Sequence, residues 1–157
     1  MQWFLIETRQ MIDSADRMAA FSIDGMVIQG IQAAGRFTLA CQMPHFQAVN
    51  SEFRGLHPAT INLQLEGALR IDNPDFSTEY AWAGPIPEKF SFLQIALEFP
   101  TGTKHRSSWI YIPHGSPHFG KRCQVEIITD KIEGLTYGSR CRIHIPRGRL
   151  EPGLIVV

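Results

Sequence analysis

Short runs in which every second residue is apolar, each closed by a turn residue, constrain this chain more than any other feature. The clearest follows Gly55-Leu56-His57-Pro58-Ala59-Thr60. Gly55 can take the positive φ that ends a helical segment, and Pro58 pushes His57 out of helical space. Ile61, Leu63 and Leu65 then alternate with Asn62, Gln64 and Glu66. Cys141, Ile143 and Ile145 alternate in the same way with Arg140, Arg142 and His144. Period two sends neighbouring side chains to opposite faces of a strand, so each run buries one face and wets the other.

Further strands are predicted at Phe21–Ile28, interrupted by the turn dipeptide Asp24-Gly25, and at Arg36–Cys41, Phe90–Phe99, Ser108–Ile112 and Val125–Thr129. The Thr60–Glu66 strand is expected to run on to Ile71, where Asp72-Asn73-Pro74-Asp75 stops it. Residues 76–88 read as an irregular surface loop, and Asp130–Leu135 as a short helix or turn. Two helices are expected. One is amphipathic over residues 4–19, with a short strand at Trp3–Ile6 as the competing reading. The other spans Gln42–Phe53, with Pro44 in its first turn and a stripe of Phe46, Val49 and Phe53. Six or seven strands with so little helix predict a mainly β, single-domain, six-stranded Greek-key barrel. The barrel is assigned to residues 24–146, with a helical segment at 1–23 and a tail at 147–157.

Composition narrows the function classes. A hydrophobic fraction of 44% with 19% charged residues is that of a soluble globular protein. No apolar run approaches the roughly 18–20 residues that span a bilayer, so no membrane role is expected. Met1–Glu7 has no basic stretch ahead of an apolar one, which argues against a secretion signal and for the cytoplasm. Formal net charge is zero, so nothing draws the chain towards nucleic acid. The charge is uneven, however: residues 101–157 hold 9 Lys and Arg against 4 Asp and Glu. That is a solvated face or support for a phosphate-bearing ligand. Cys41, Cys123 and Cys141 stand far apart with no C-x-x-C, so reduced thiols are expected.

The chemistry-bearing candidates are few. Thr60 and Asn62, two apart at a strand mouth, point the same way; they either cap the turn or hold a hard cation such as Mg²⁺ beside a phosphate. Gly30-Ile31-Gln32-Ala33-Ala34-Gly35 is a small-residue loop, of the kind that lets backbone N–H groups approach an anion. Glu126 is a general base, a hydrogen-bond acceptor, or one polar residue of an amphipathic strand. His114 and His118 are four apart, but Gly115 and Pro117 exclude the helix that would align them on a metal. Arg140 and Arg142 read as a solvated strand face in preference to a phosphate clamp, and Trp82 and Trp109 as core or loop packing in preference to a stacking surface for a flat ring.

In order and spacing these segments resemble the archaeal-type CTP-dependent riboflavin kinases. That family has a Gly-rich loop, a P-Y-P-G-T-L-N segment, a Thr/Ser-x-His-Tyr-like segment and an E-I-I-A-P strand, then a final hairpin. This chain has Gly30 to Phe37, then Leu56-His57-Pro58-Ala59-Thr60-Ile61-Asn62, then Ser116-Pro117-His118-Phe119. Glu126-Ile127-Ile128-Thr129-Asp130 and Tyr137-Gly138-Ser139 follow. The resemblance covers roughly residues 24–146. It implies a cradle-loop barrel that moves the γ-phosphate of CTP onto the riboflavin 5′-hydroxyl, giving FMN and CDP. It further implies Mg²⁺ on Thr60 and Asn62. Nucleotide would lie on Gly30, Ile31, Gln32, Ala33, Ala34 and Gly35 and on Lys131, Ile132, Glu133 and Gly134. Flavin would lie against Ser116, His118 and Glu126, with Glu126 also the catalytic group.

The departures are local. Gln32 and Ala34 stand where the family has glycine, Ala59 precedes the threonine, and Thr129-Asp130 replaces Ala-Pro. A Cβ at Gln32 or Ala34 obstructs amide–phosphate contact if positive φ is needed there. The alternative is therefore a catalytically silent barrel of the same fold that binds nucleotide, flavin or protein. A nucleic-acid-binding barrel is the third reading, and zero net charge counts against it.

Overall fold

Pairing of strands far apart in sequence builds a ring. The computed structural model describes residues 21–29, 35–69, 71, 74–115 and 123–146, with backbone alone at 35–38. The strands are β1 (Phe21–Ile28), β2 (Ile61–Leu65), β3 (Phe76–Tyr80), β4 (Glu88–Glu98), β5 (Lys104–Pro113), β6 (Gln124–Ile128) and β7 (Arg140–Ile145). Helix α1 (Gly35–Val49) leads into a 3-10 turn at Ser51–Phe53. The order β4-β5-β6-β2-β1-β7 is antiparallel throughout, and it closes because Ala96–Glu98 of β4 pairs with Arg142–His144 of β7. The result is a closed six-stranded barrel with no free edge in the ring. β3 lies outside the ring and pairs with the first half of β4, Glu88–Phe92. A register shift between Ile95 and Leu97 falls where β4 passes from β3 to β7, as a bulge that bends a strand does.

Alternation separates two cores. Inward side chains such as Val27, Leu63, Leu93, Leu97, Ile127 and Ile143 fill the barrel. Outward side chains of β4 and β5 (Phe90, Phe92, Trp109 and Tyr111) form a second core against Leu39, Met43 and Phe46 of α1. Phe46 is fully buried, with its ring 5.0 Å from that of Phe92 and 5.1 Å from that of Phe90. Burying one such side chain contributes about 1.5–3 kcal/mol. This aromatic layer clamps the helix to the barrel wall. No helix among the described residues is long and apolar enough to cross a membrane.

Four expectations change. The strand predicted at Arg36–Cys41 is the first half of α1, so the helix begins at Gly35 rather than Gln42. Leu39, Gln42, Met43 and Phe46 are all buried at helical spacing, and burying that face outweighs the short alternation before it. Pro44 consequently sits inside the helix, where it offers no N–H to the Ala40 carbonyl. β1 is unbroken at Asp24-Gly25, because Gly25 is paired with Leu65 on one side and Cys141 on the other. A Cβ on Gly25 would stand 3.2 Å from both the Gln64 carbonyl oxygen and Leu65 Cδ2, so the glycine permits close strand approach.

β3 lies within the span expected to be irregular, and it faces the helix. His45 Nε2 is 3.1 Å from Thr78 Oγ1, and the His45 and Tyr80 rings stack at 4.2 Å. β2 ends at Leu65, short of Ile71. β1, β4, β5, β6 and β7 fall where strands are predicted, with Arg140–Ile145 matching end to end. The predicted helix at 4–19 and the tail at 147–157 lie outside the described residues.

Candidate active site

The site begins with a turn that is tied to the end of β6 and closed on itself. His57 N donates to the Thr129 carbonyl at 2.8 Å, and Ala59 N donates to the His57 carbonyl at 2.8 Å. Thr129 is itself buried and pinned: its hydroxyl is 2.7 Å from Ser108 Oγ and donates to Asp130 Oδ1 at 2.9 Å. His105 Nδ1 lies 2.9 Å from the same carboxylate oxygen. Partial burial works to raise the Asp130 pKa. The bonds from His105 and Thr129 outweigh it and hold the carboxyl below its ordinary range. The Thr129-Asp130 pair thus fastens the 57–60 turn to the end of β6.

Beyond this turn the chain enters β2 with Ile61, Leu63 and Leu65 directed inward, leaving Thr60 and Asn62 on the outer side. Asn62 pairs with Ile28 of β1 and with Glu126 of β6, and Glu126 pairs with Tyr111 of β5. Same-face side chains on directly paired residues approach to about 5 Å. Tyr111, Glu126 and Asn62 therefore form one row across three strands. Thr60 Oγ1 donates to Glu126 Oε1 at 3.5 Å, a long bond that only partly satisfies the carboxylate. Burial raises the Glu126 pKa, and the Thr60 bond opposes this weakly.

On the other side of Glu126 the Tyr111 hydroxyl donates to Gln42 Oε1 at 2.7 Å. Gln42 is 1% exposed on α1. Burial, together with the charges of Glu126 and Glu88, pushes the Tyr111 phenol far above its ordinary value, so it stays a neutral donor.

Thr60, Ile61 and Asn62 open into a cavity of about 470 Å³, completed by the end of β1 and by the 135–137 turn. That size suits a small-molecule ligand. Thr60 and Asn62 bring oxygen-bearing side chains to its polar side, and Thr60 is bonded in turn to the partly buried Glu126 carboxylate. Neutral oxygens of this kind suit a small hard cation that keeps ligands of its own. Among the described residues no group of three or more His, Cys, Asp or Glu is disposed for a metal. Any ion here would lean on the neutral oxygens and on its own ligands.

The other predicted site residues fall as follows. Gly35 belongs to α1 and does not close a loop between two strands. Gly30, Ile31, Gln32, Ala33 and Ala34, like Ser116 and His118, lie outside the described residues. Lys131 and Glu133 pair with each other at 3.2 Å on the surface, Ile132 packs on the barrel core, and Gly134 takes φ +73° in the turn. The cavity is lined by the next three residues, Leu135 to Tyr137. Arg142 and Arg140 pair on the exposed strand face with Asp24 at 2.7 Å and Glu66 at 2.9 Å.

Sequence reasoning missed Gln42, Tyr111 and Tyr137. A polar residue inside an otherwise apolar helical stripe was the available signal for Gln42. The other two depend on strand register and turn geometry. No family model matches the chain, and no curated protein matches it.

Proposed function

We propose that this chain is a CTP-dependent, riboflavin-kinase-like phosphotransferase on a Greek-key, cradle-loop barrel. It transfers the γ-phosphate of CTP to the riboflavin 5′-hydroxyl to give FMN and CDP. The observation that carries the reading is that Thr60 and Asn62 line one cavity while Glu126, from a separate motif of the resemblance, is bonded to Thr60 and is the register partner of Asn62. Phosphoryl transfer asks a protein mainly for positioning and for stabilisation of charge.

In this reading Glu126 accepts the proton of the attacking hydroxyl. Burial suits it to that role by bringing its pKa up towards the working pH. Thr60 orients the carboxylate, and Asn62 holds the phosphate end of the donor. Mg²⁺ fits the neutral oxygens of Thr60 and Asn62, and when bound it would neutralise developing phosphate charge. The buried Tyr111–Gln42 pair fixes the strand position beside Glu126.

Purified protein given CTP, Mg²⁺ and riboflavin is expected to yield FMN, read by separation of the flavins. No turnover with any nucleoside triphosphate rejects the catalytic reading. Calorimetric binding of CDP or FMN without turnover favours the silent binding member, which Gln32 and Ala34 in the loop motivate.

A further inference from the structure

Tyr137 is 66% exposed, yet it stands on a turn held by several backbone hydrogen bonds. Gly138 N donates to the Val27 carbonyl at 2.7 Å, and Val27 N donates to the Ser139 carbonyl at 2.8 Å. Ser139 N donates to the Thr136 carbonyl at 3.1 Å, while Thr136 N reaches Ser139 Oγ at 3.3 Å. Gly138 adopts φ +88°, which only glycine takes without strain. The backbone carrying Tyr137 is thus stapled to β1 on its C-terminal side and closed on itself.

Four large apolar side chains are exposed among the described residues: Met26, Val49, Ile86 and Tyr137. Of these, Tyr137 lines the cavity that Thr60 and Asn62 open into, where Ile28, Ile61 and Leu135 add aliphatic surface. An aromatic face held on a fixed backbone beside an apolar wall loses little conformational entropy when a flat ring settles on it.

We infer that Tyr137 is the stacking platform for a planar heteroaromatic ring, a nucleobase or an isoalloxazine, carried by the ligand whose phosphate end lies at Thr60 and Asn62. The inference rests on the reading of that cavity as a site for a phosphorylated ligand. It adds the element that grips the ring. Stacking engages the π-face rather than the hydrogen-bonding edge, so it is tolerant of base identity. Cytidine, uridine and adenosine diphosphates should all feel it.

The test is calorimetry with the intact chain and Mg²⁺, titrating CDP, UDP, ADP and FMN into wild type, Tyr137→Ala, Tyr137→Phe and Tyr137→Trp. Tyr137→Ala should weaken either the nucleoside diphosphates together or FMN by roughly tenfold to a hundredfold. The Phe and Trp variants should stay within about threefold of wild type, because both keep a stacking face. Whichever class weakens identifies the ring. Melting temperatures should be unchanged, since the side chain is exposed. Unaltered affinity of Tyr137→Ala for every probe overturns the platform, as does a wild type that binds none of them. Ring binding that depends on Tyr137 without FMN formation leaves the platform standing and removes the kinase reading.

Discussion

Thr60, which lines the cavity, and Glu126, sixty-six residues on in sequence, meet through a 3.5 Å hydrogen bond. The bond is too long to compensate for the burial of the carboxylate, so the folded-state pKa of Glu126 lies above its unfolded value. A raised acid pKa means that native stability is fully present below the unfolded pKa of ~4.3 and is lost as pH rises through the folded value. Glu126→Gln should therefore melt higher than wild type at pH 7, by an amount worth about 0.5–2 kcal/mol. The gap should close near pH 4. Thermal melts across that range, alongside loss of FMN formation, check the trade of stability for chemistry.

Tyr111 and Gln42 satisfy each other inside the second core. Tyr111→Phe leaves the Gln42 carbonyl buried without its donor and should cost about 1–3 kcal/mol in urea unfolding. The double variant Tyr111→Phe with Gln42→Leu should recover part of that loss, because no polar atom is then stranded. A double variant no better than the single one would show that the bond matters less than the shape of the pair.

Phe46 anchors α1 to the outer wall. Phe46→Ala removes a fully buried ring that contacts the Phe53, Phe90, Phe92 and Tyr111 rings, and should cost about 3–5 kcal/mol. Val49→Ala, three residues on but exposed, should change stability by less than about 0.5 kcal/mol. Denaturant midpoints compare the two directly.

Gly25 separates close strand approach from turn formation. Gly25→Ala puts a methyl 3.2 Å from the Gln64 carbonyl oxygen, which belongs to paired backbone, and should destabilise by roughly 1–3 kcal/mol. Gly84→Ala meets nothing within 4 Å and should be neutral or slightly stabilising.

These residues also show what was legible in the chain. The barrel could be read because its strands alternate over four or more positions, as in Arg140–Ile145, and inward burial enforces that pattern. The first half of α1 was not, since Phe37, Leu39 and Cys41 alternate locally while the stripe of Leu39, Met43 and Phe46 crosses the predicted boundary. β3 carries Phe76, Thr78 and Tyr80 on one side, but what makes it a strand is pairing with β4 and the helix above it. Gly25 reads as a turn residue until its partners Leu65 and Cys141 are known. At the site, Thr60, Asn62 and Glu126 were legible as motif residues. Tyr111 and Tyr137 were not, because register and turn closure are long-range properties.

FMN production by wild type and by Asn62→Ala, at equal CTP, riboflavin and Mg²⁺, tests the central claim most directly. The account predicts FMN from wild type and a loss of roughly a hundredfold or more in the variant, with an unchanged melting temperature. Equal rates from the two proteins, or no FMN from wild type with any nucleoside triphosphate, would contradict it.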